Sequence, residues 1–329
     1  MGAVHGRGWL AMGAFGVALL AVILLSRGQA GDLAAAGQPR PNIVIYLVDT
    51  LRADHLGVYG YGRDTSPVLD RWAQGGVVFE QAYAPSSWTK PSMVSLFSGL
   101  DPISHGVEDR LDVIPENVQL LAERLKGLGY STFGAVTNPN VLPQWGFGRG
   151  FDEYADLDSN GHGTPADKVS DYVAQKIEEL SQNQPFLLYL HVIDPHFPYQ
   201  PPPPYDTRFP RSRAVPVNMS MSQYDGEVAF VDSQFGRLLD LLGEHGLDDD
   251  TLTIFAADHG EEFWEHGALG HGGTLFEEVV RVPLVIRFPQ GRHAGTRVDT
   301  RVTLSDLFPT MLGLLGESLP SRLDRKSVV

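Results

Sequence analysis

The chain predicts an α/β fold built on a doubly wound, mostly parallel sheet flanked by helices. Three nearly continuous apolar runs, at residues 42–48, 186–192 and 251–257, are of the kind buried on both faces of a parallel sheet. Segments with helical spacing of apolar residues alternate with them, which argues against a bundle or an all-β fold. With 329 residues, 43% of them hydrophobic, the chain is long enough for one large domain with a sizeable core.

Composition narrows the chemistry. A formal charge of −15 opposes a nucleic-acid partner, because a surface that grips phosphate backbones is basic. There is no cysteine, so disulfides, thiolate metal sites and cysteine catalysis are excluded. Residues 9–26, WLAMGAFGVALLAVILLS, form an uncharged apolar run between Arg7 and Arg27. This is the pattern of a signal peptide, with Gly28 and Ala30 or Ala34 and Ala36 as small residues for cleavage, or of a signal anchor just able to span a bilayer. Residues 1–36 are therefore read as leader and linker and residues 37–329 as the catalytic domain. That domain is expected outside the cytoplasm, exported to the periplasm or tethered to the membrane.

In chain order, the run from Asn42 to Val48 gives a first strand ending in Asp49. Residues 66–75 read as a capped helix with Pro67 in its first turn, and Val77, Val78 and Phe79 as a short strand. Thr89 opens a helix that runs to about Gly99. Pro91 suits its first turn, and Met93, Val94, Leu96 and Phe97 give it a buried side. Asn117 to Leu128 is amphipathic and stops at Gly129; Ser131 to Val136 is the next strand. Residues 137–163 are loop-rich. Pro165 to Leu180 is helical, Phe186 to Val192 is a buried strand, and the four prolines at 201–204 make a rigid surface segment. Ser222 to His245 forms a long helix, followed by a strand from Thr251 to Ala257, another from Pro283 to Phe288, and a last helix from Leu304 to Leu315.

Strand ends carry the chemistry. In open α/β sheets ligands bind beyond the carboxyl ends of the strands. Asp49, the pair Asp194 and His196, and the pair Asp258 and His259 all stand at such ends. A hydroxyl at a helix N-terminus faces free N–H groups and the positive end of the dipole, so Thr89 is placed to attack and to have an oxyanion held against it. An isolated Ser87 or Thr89 before Pro91 would ordinarily be an N-cap, and a lone Asp-His pair a turn. Three strand ends converging on one edge favour a site. Two carboxylates, Asp49 and Asp258, with the imidazole of His259 and the oxygen of Thr89, make a mixed O/N set for a divalent cation such as Zn²⁺, Mn²⁺, Mg²⁺ or Ca²⁺. A second ion on Asp194, His196 and His271 is a further expectation. His55, His105 and His266 read as structural, and Glu261 and Glu262 as a solvated loop face.

Several strings carry a family resemblance: IVIYLVDTLRADHLGVYGYGRDTSPVLD, SSWTKPSMVSLFSGLDPISHGV, HVIDPHFPY, DHGEEFWEHG and TLFEEVVRVPLVIR. In order and spacing they resemble the N-terminal catalytic domain of the sulfatase family, within the alkaline phosphatase superfamily, over roughly residues 41–315. The resemblance implies Asp49, Asp258 and His259 as metal ligands and Thr89 as the metal-bound nucleophile. It puts His196 on the transferred group or leaving oxygen, and His271 near the place of an active-site lysine.

The departures are equally informative. Where sulfatases carry a Cys or Ser that becomes formylglycine in a CxPxR or SxPxR motif, the window here is TKPSM. Threonine cannot yield that aldehyde. Met93 stands in place of the arginine, with Lys90 as a partial substitute for its charge. Thr50 replaces the second carboxylate of an Asp-Asp pair. This set is similar to the threonine-dependent relatives, the phosphoethanolamine and lipoteichoic acid transferases and nucleotide phosphodiesterases, which work through phosphothreonine. The expected activity is therefore hydrolysis or transfer of small-molecule, glycan or lipid esters of phosphate or sulfate. The alternative is a degenerate sulfatase-like protein of the cell envelope that binds anions without turnover. Sulfatases usually continue past the point where this chain stops, at Val329, into a smaller C-terminal subdomain, so the chain reads either as a minimal enzyme or as a truncated sequence, and leaving-group recognition is not assigned.

Overall fold

The computed structural model describes residues 40–158, 165–210, 216–320 and 323. The apolar run at 9–26 lies outside them. Among the described residues no helix is long and apolar enough to cross a membrane.

Thirteen strands occur in the described chain: β1 (Asn42–Val48), β2 (Val77–Phe79), β3 (Ala82–Tyr83), β4 (Ser131–Val136), β5 (Glu153–Asp156), β6 (Phe186–Val192), β7 (Thr251–Ala257), β8 (Glu262–Phe263), β9 (Leu269–Gly270), β10 (Arg281–Val282), β11 (Leu284–Arg287), β12 (Thr296–Val298) and β13 (Val302–Thr303). Eight form the main sheet in the order β12-β2-β11-β7-β1-β6-β4-β5. β11 runs antiparallel to both its neighbours, β7 and β2. The other ladders of that sheet are parallel.

β1 lies at the centre, registered residue for residue against β6 and β7, and all seven of its residues are buried. Its five aliphatic side chains contribute roughly 10 kcal/mol by burial, at about 1.5–3 kcal/mol each. That margin is what allows the next residue, Asp49, to be held out of water.

The principal helices are α1 (Pro67–Trp72), α2 (Thr89–Ser98), α3 (Leu121–Gly127), α4 (Asp167–Gln182), α5 (Pro216–Glu244) and α6 (Leu307–Leu314). The cap of α1 is tertiary rather than local: Asp232 of α5 accepts the Val68 and Leu69 N–H groups at 2.9 and 2.8 Å. Ser66 instead accepts the Gly57 N–H at 2.9 Å. α2 is buried along its whole length, not on one side, and ends at Gly99 with φ 72°, a left-handed cap that glycine adopts without strain.

Four expectations change. β5 forms inside the stretch read as loop, as a parallel edge strand on β4 that carries two charged residues and lacks an apolar run. α3 starts at Leu121 rather than Asn117, because the Glu123 side chain accepts the Leu120 N–H at 2.8 Å and fixes the start there. The last helix begins with a 3-10 turn, Leu304–Asp306. Of the prolines at 201–204, Pro201 is buried.

Candidate metal and nucleophile site

β1 and β7 are in parallel register, so Val48 pairs with Ala257 and the two chains deliver Asp49 and Asp258 side by side. Both are fully buried, as is His259. Thr50 follows in the left-handed region (φ 52°), unfavourable for a β-branched residue. Three bonds hold it there: its hydroxyl donates to Pro195 O at 2.9 Å, Tyr224 Oη donates to its carbonyl at 2.8 Å, and its N–H reaches Asp258 Oδ1 at 3.3 Å. Asp258 Oδ1 also accepts the His259 N–H at 2.8 Å. Gly260 then turns the chain away; a Cβ there would lie 2.1 Å from the Glu278 carbonyl oxygen.

α2 brings Thr89 to this edge. Its N-cap is Trp88, with no side-chain cap bond, so the Thr89 hydroxyl is not spent on capping. Ser92, one turn on, donates to Asp258 O at 2.6 Å and ties the helix to the end of β7. Thr89 Oγ1 lies 3.3 Å from His259 Nε2. That nitrogen lies 3.3 Å from Asp49 Oδ1 and 3.5 Å from Asp258 Oδ2. His259 Nδ1–H donates to Gly260 O at 2.9 Å, which leaves the Nε2 lone pair facing the cluster.

Asp49 Oδ1 and Asp258 Oδ2 have no hydrogen-bond partner. Buried carboxylate oxygens without partners are expensive, and burial pushes both carboxyls above their ordinary range, Asp49 strongly so. Repulsion from Asp258 and then Glu261 adds to the shift of Asp49. Burial pushes His259 well below the usual imidazole range. These are the conditions a divalent cation relieves. Asp49, Asp258 and His259 bring ligand atoms within 4.8 Å of one another, and with Thr89 Oγ1 they fit a mixed O/N set for such an ion.

Three imidazoles line the site in a row. The His259 and His271 ring centroids are 4.4 Å apart, those of His271 and His196 5.0 Å. His196 Nδ1–H donates to Phe197 O at 2.6 Å, and burial, then the neighbouring His271, lowers its affinity for a second proton. Asp194 does not complete a second ion site with them. Among the described residues these three make no ligand cluster, and Asp194 Oδ2 accepts the Ala166 N–H at 2.8 Å.

Two sequence expectations are overturned here. Glu261 and Glu262 are buried, not solvated. Glu261 Oε1 holds His271 Nδ1 at 3.0 Å while its Oε2 accepts the Tyr199 hydroxyl at 3.0 Å, so it orients His271 rather than His259. Lys90 does not replace the missing arginine. Fully buried, its ammonium donates to the carbonyls of Arg110 and Asp112 and sits 3.7 Å from the centroid of the Trp145 ring. Met93 is buried and adds no charge.

Sequence reading missed Asn138, which follows β4 at the same sheet edge. Its Nδ2 donates to Asp49 Oδ2 and lies 3.5 Å from Thr89 Oγ1, while its Oδ1 accepts the Asn140 N–H at 2.7 Å. The strand-end rule that found Asp49 also points to it. Three other histidines are structural, as expected: His55 pairs with Asp225 at 2.7 Å, and His105 with Ser95 at 3.1 Å. His266 pairs with Glu278 at 2.6 Å.

A buried carboxylate and imidazole cluster at the strand ends, facing a hydroxyl on a helix N-terminus, defines an α/β protein of the alkaline phosphatase-like class. A sequence profile of the sulfatase family matches residues 41–317, and the chain belongs to that family. Among curated relatives, human N-acetylgalactosamine-6-sulfatase is 27% identical over 88% of this chain and 65% of its own length. An uncharacterized sulfatase of Escherichia coli, YidJ, is 24% identical over 88% of this chain and 71% of its own. The chain thus spans roughly two thirds of the length of these relatives. The crystal structure of a phosphonate monoester hydrolase of Agrobacterium radiobacter superposes with a TM-score of 0.72 at 25% identity, covering 84% of this chain and 74% of that one.

Proposed function

We propose that the chain is a metal-dependent hydrolase or transferase of phosphate or sulfate esters that works through a covalent ester on Thr89. The observation that carries this reading is the Thr89 hydroxyl, uncapped at a helix N-terminus and 3.3 Å from His259 Nε2, within a buried cluster that has two unsatisfied carboxylate oxygens. A relative that is an N-acetylgalactosamine-6-sulfatase and a similar structure that is a phosphonate monoester hydrolase support an ester of sulfur or phosphorus as substrate.

Asp49, Asp258, His259 and Thr89 would hold the cation, which when bound favours the alkoxide of Thr89 and neutralises charge on a substrate oxygen. Thr89 Oγ1 attacks phosphorus or sulfur in line, forming the new O–P or O–S bond as the ester oxygen departs. The Asn138 amide, already reaching Asp49 and Thr89, orients the attacking oxygen. The proton that Thr89 releases passes to Nε2 of His271, whose Nδ1 is held by Glu261, and from there to the departing oxygen. The same imidazole later takes a proton from the water or acceptor hydroxyl that releases Thr89, while His196, its Nδ1–H committed to Phe197 O, contacts the transferred group. Glu261 holds the His271 ring in place through Nδ1.

Phosphoryl transfer is the preferred chemistry, because an unmodified alkoxide leaves a phosphothreonine that a second nucleophile can open. The substrate would be a small molecule, glycan or lipid ester met outside the cytoplasm, with residues 9–26 as leader or anchor. Mass spectrometry of the metal-loaded chain after brief incubation with matched aryl phosphate, phosphodiester and sulfate substrates tests this. A phosphoryl adduct on the Thr89 peptide is expected, and a sulfuryl adduct would shift the reading to sulfate esters. Full turnover by Thr89→Ala would remove the nucleophile.

A further inference from the structure

His191 is a fully buried imidazole that the chemistry above does not use. It lies on β6, and strand alternation puts it on the same side as Tyr189, two residues before it. The Tyr189 hydroxyl lies 2.7 Å from His191 Nδ1 and has no other hydrogen-bond partner among the described residues. On the far side of the ring, His191 Nε2 has no hydrogen-bond partner and lies 3.9 Å from Asp258 Oδ2, which also has none.

Only one tautomer suits both ends. If Nδ1 carried the hydrogen, the Nε2 lone pair would face a carboxylate oxygen and the phenol would have nothing to donate to. With the tyrosine O–H donating to Nδ1, the proton sits on Nε2 and points at Asp258. Asp258 Oδ1 is already taken by the Thr50 and His259 N–H groups, so Oδ2 is the oxygen left for a cation.

We propose, resting on the metal reading above, that Tyr189 and His191 form a positioning relay for Asp258: the Nε2–H closes onto Oδ2 when that oxygen takes up its ion. The donor fixes the carboxylate's rotation so that the ion-facing lone pair points towards Asp49 and His259. At 3.9 Å the contact is too long for a hydrogen bond, and a shift of about 1 Å makes it one. Outer-shell donors of this kind typically tune metal affinity by about 10–100-fold.

The test is competition between the full chain and a metallochromic chelator for Zn²⁺ and for Co²⁺, with the Co²⁺ visible spectrum recorded in parallel. His191→Phe is expected to weaken both affinities by about 10–100-fold and to change the Co²⁺ spectrum, while His191→Gln, which restores a donor near the Nε2 position, recovers most of the loss. Tyr189→Phe keeps the packing but frees the tautomer, and a smaller loss of severalfold is expected; it serves also if His191→Phe does not fold. Wild-type affinity and an unchanged spectrum in both His191→Phe and Tyr189→Phe would overturn the relay alone. A wild-type chain that binds neither ion would overturn the metal reading and the relay with it.

Discussion

Among the described residues two groups of carboxylate and imidazole side chains bring ligand atoms within 4.8 Å of one another, and they differ in kind. Asp49, Asp258 and His259 are buried, and two of their oxygens lack any partner. Glu262, His266 and Glu278, on and beside the β8–β9 hairpin, are satisfied from within. Glu262 Oε1 accepts the His266 and Ala268 N–H groups at 3.1 and 3.0 Å, and its Oε2 lies 3.3 Å from the Thr274 hydroxyl. His266, half out in solvent, pairs with Glu278 and stacks on Phe276. Proximity of ligands is therefore a poor guide by itself. Unsatisfied polarity in a dry place marks where an ion belongs, whereas a cluster that supplies its own donors is holding a turn.

The sharpest way to break this contrast is to remove one member of each group. Asp258→Asn should lose metal and turnover together, by more than the roughly 10–100-fold typical of outer-shell partners. Glu262→Gln should leave metal content unchanged and lower the melting temperature, since a weakened hydrogen-bond set costs about 1–3 kcal/mol. Thr89→Ala separates chemistry from binding: a loss of at least about 10³-fold in turnover is expected, with folding retained and no covalent adduct.

Smaller effects refine the outer parts. Glu261→Gln should lower turnover about tenfold and leave metal content intact, because it orients His271 rather than a ligand. pH supplies a fourth test. The metal-free fold raises Asp49 and Asp258 above their unfolded values, so it binds protons the unfolded chain has released. Its stability is fully present below the ordinary carboxylate range and is lost as pH rises through the folded values. Melting in chelator should fall with rising pH, and added divalent ion should reverse the trend. The smallest effect is at Lys90, where Lys90→Met should cost about 2 kcal/mol through its lost carbonyl bonds and ring contact, without touching metal affinity.

Much of this was legible in the sequence, for a physical reason. Doubly buried strands leave unbroken apolar runs, and the polar residue that ends such a run is at the sheet edge by construction, so Asp49, Asp258 and His259 could be located from pattern alone. Asn138 follows a less apolar strand into a turn, so the pattern marks it less clearly. Glu261 is not legible in this way, because adjacent acidic residues after a strand usually face water. Here Tyr199, 62 residues earlier, and His271 bury and satisfy it, a partnership that local pattern does not contain. The same holds for Lys90: adjacency to Thr89 in sequence says nothing of direction, and on a helix consecutive side chains diverge.

The measurement that bears most directly on the whole reading is metal content per chain, taken side by side on wild type, Asp258→Asn and Glu262→Gln after loading and removal of excess ion. One equivalent in wild type and Glu262→Gln, with none in Asp258→Asn, is the expected result. Metal that persists in Asp258→Asn and disappears from Glu262→Gln would put the ion on the hairpin and contradict the assignment of the strand-end cluster.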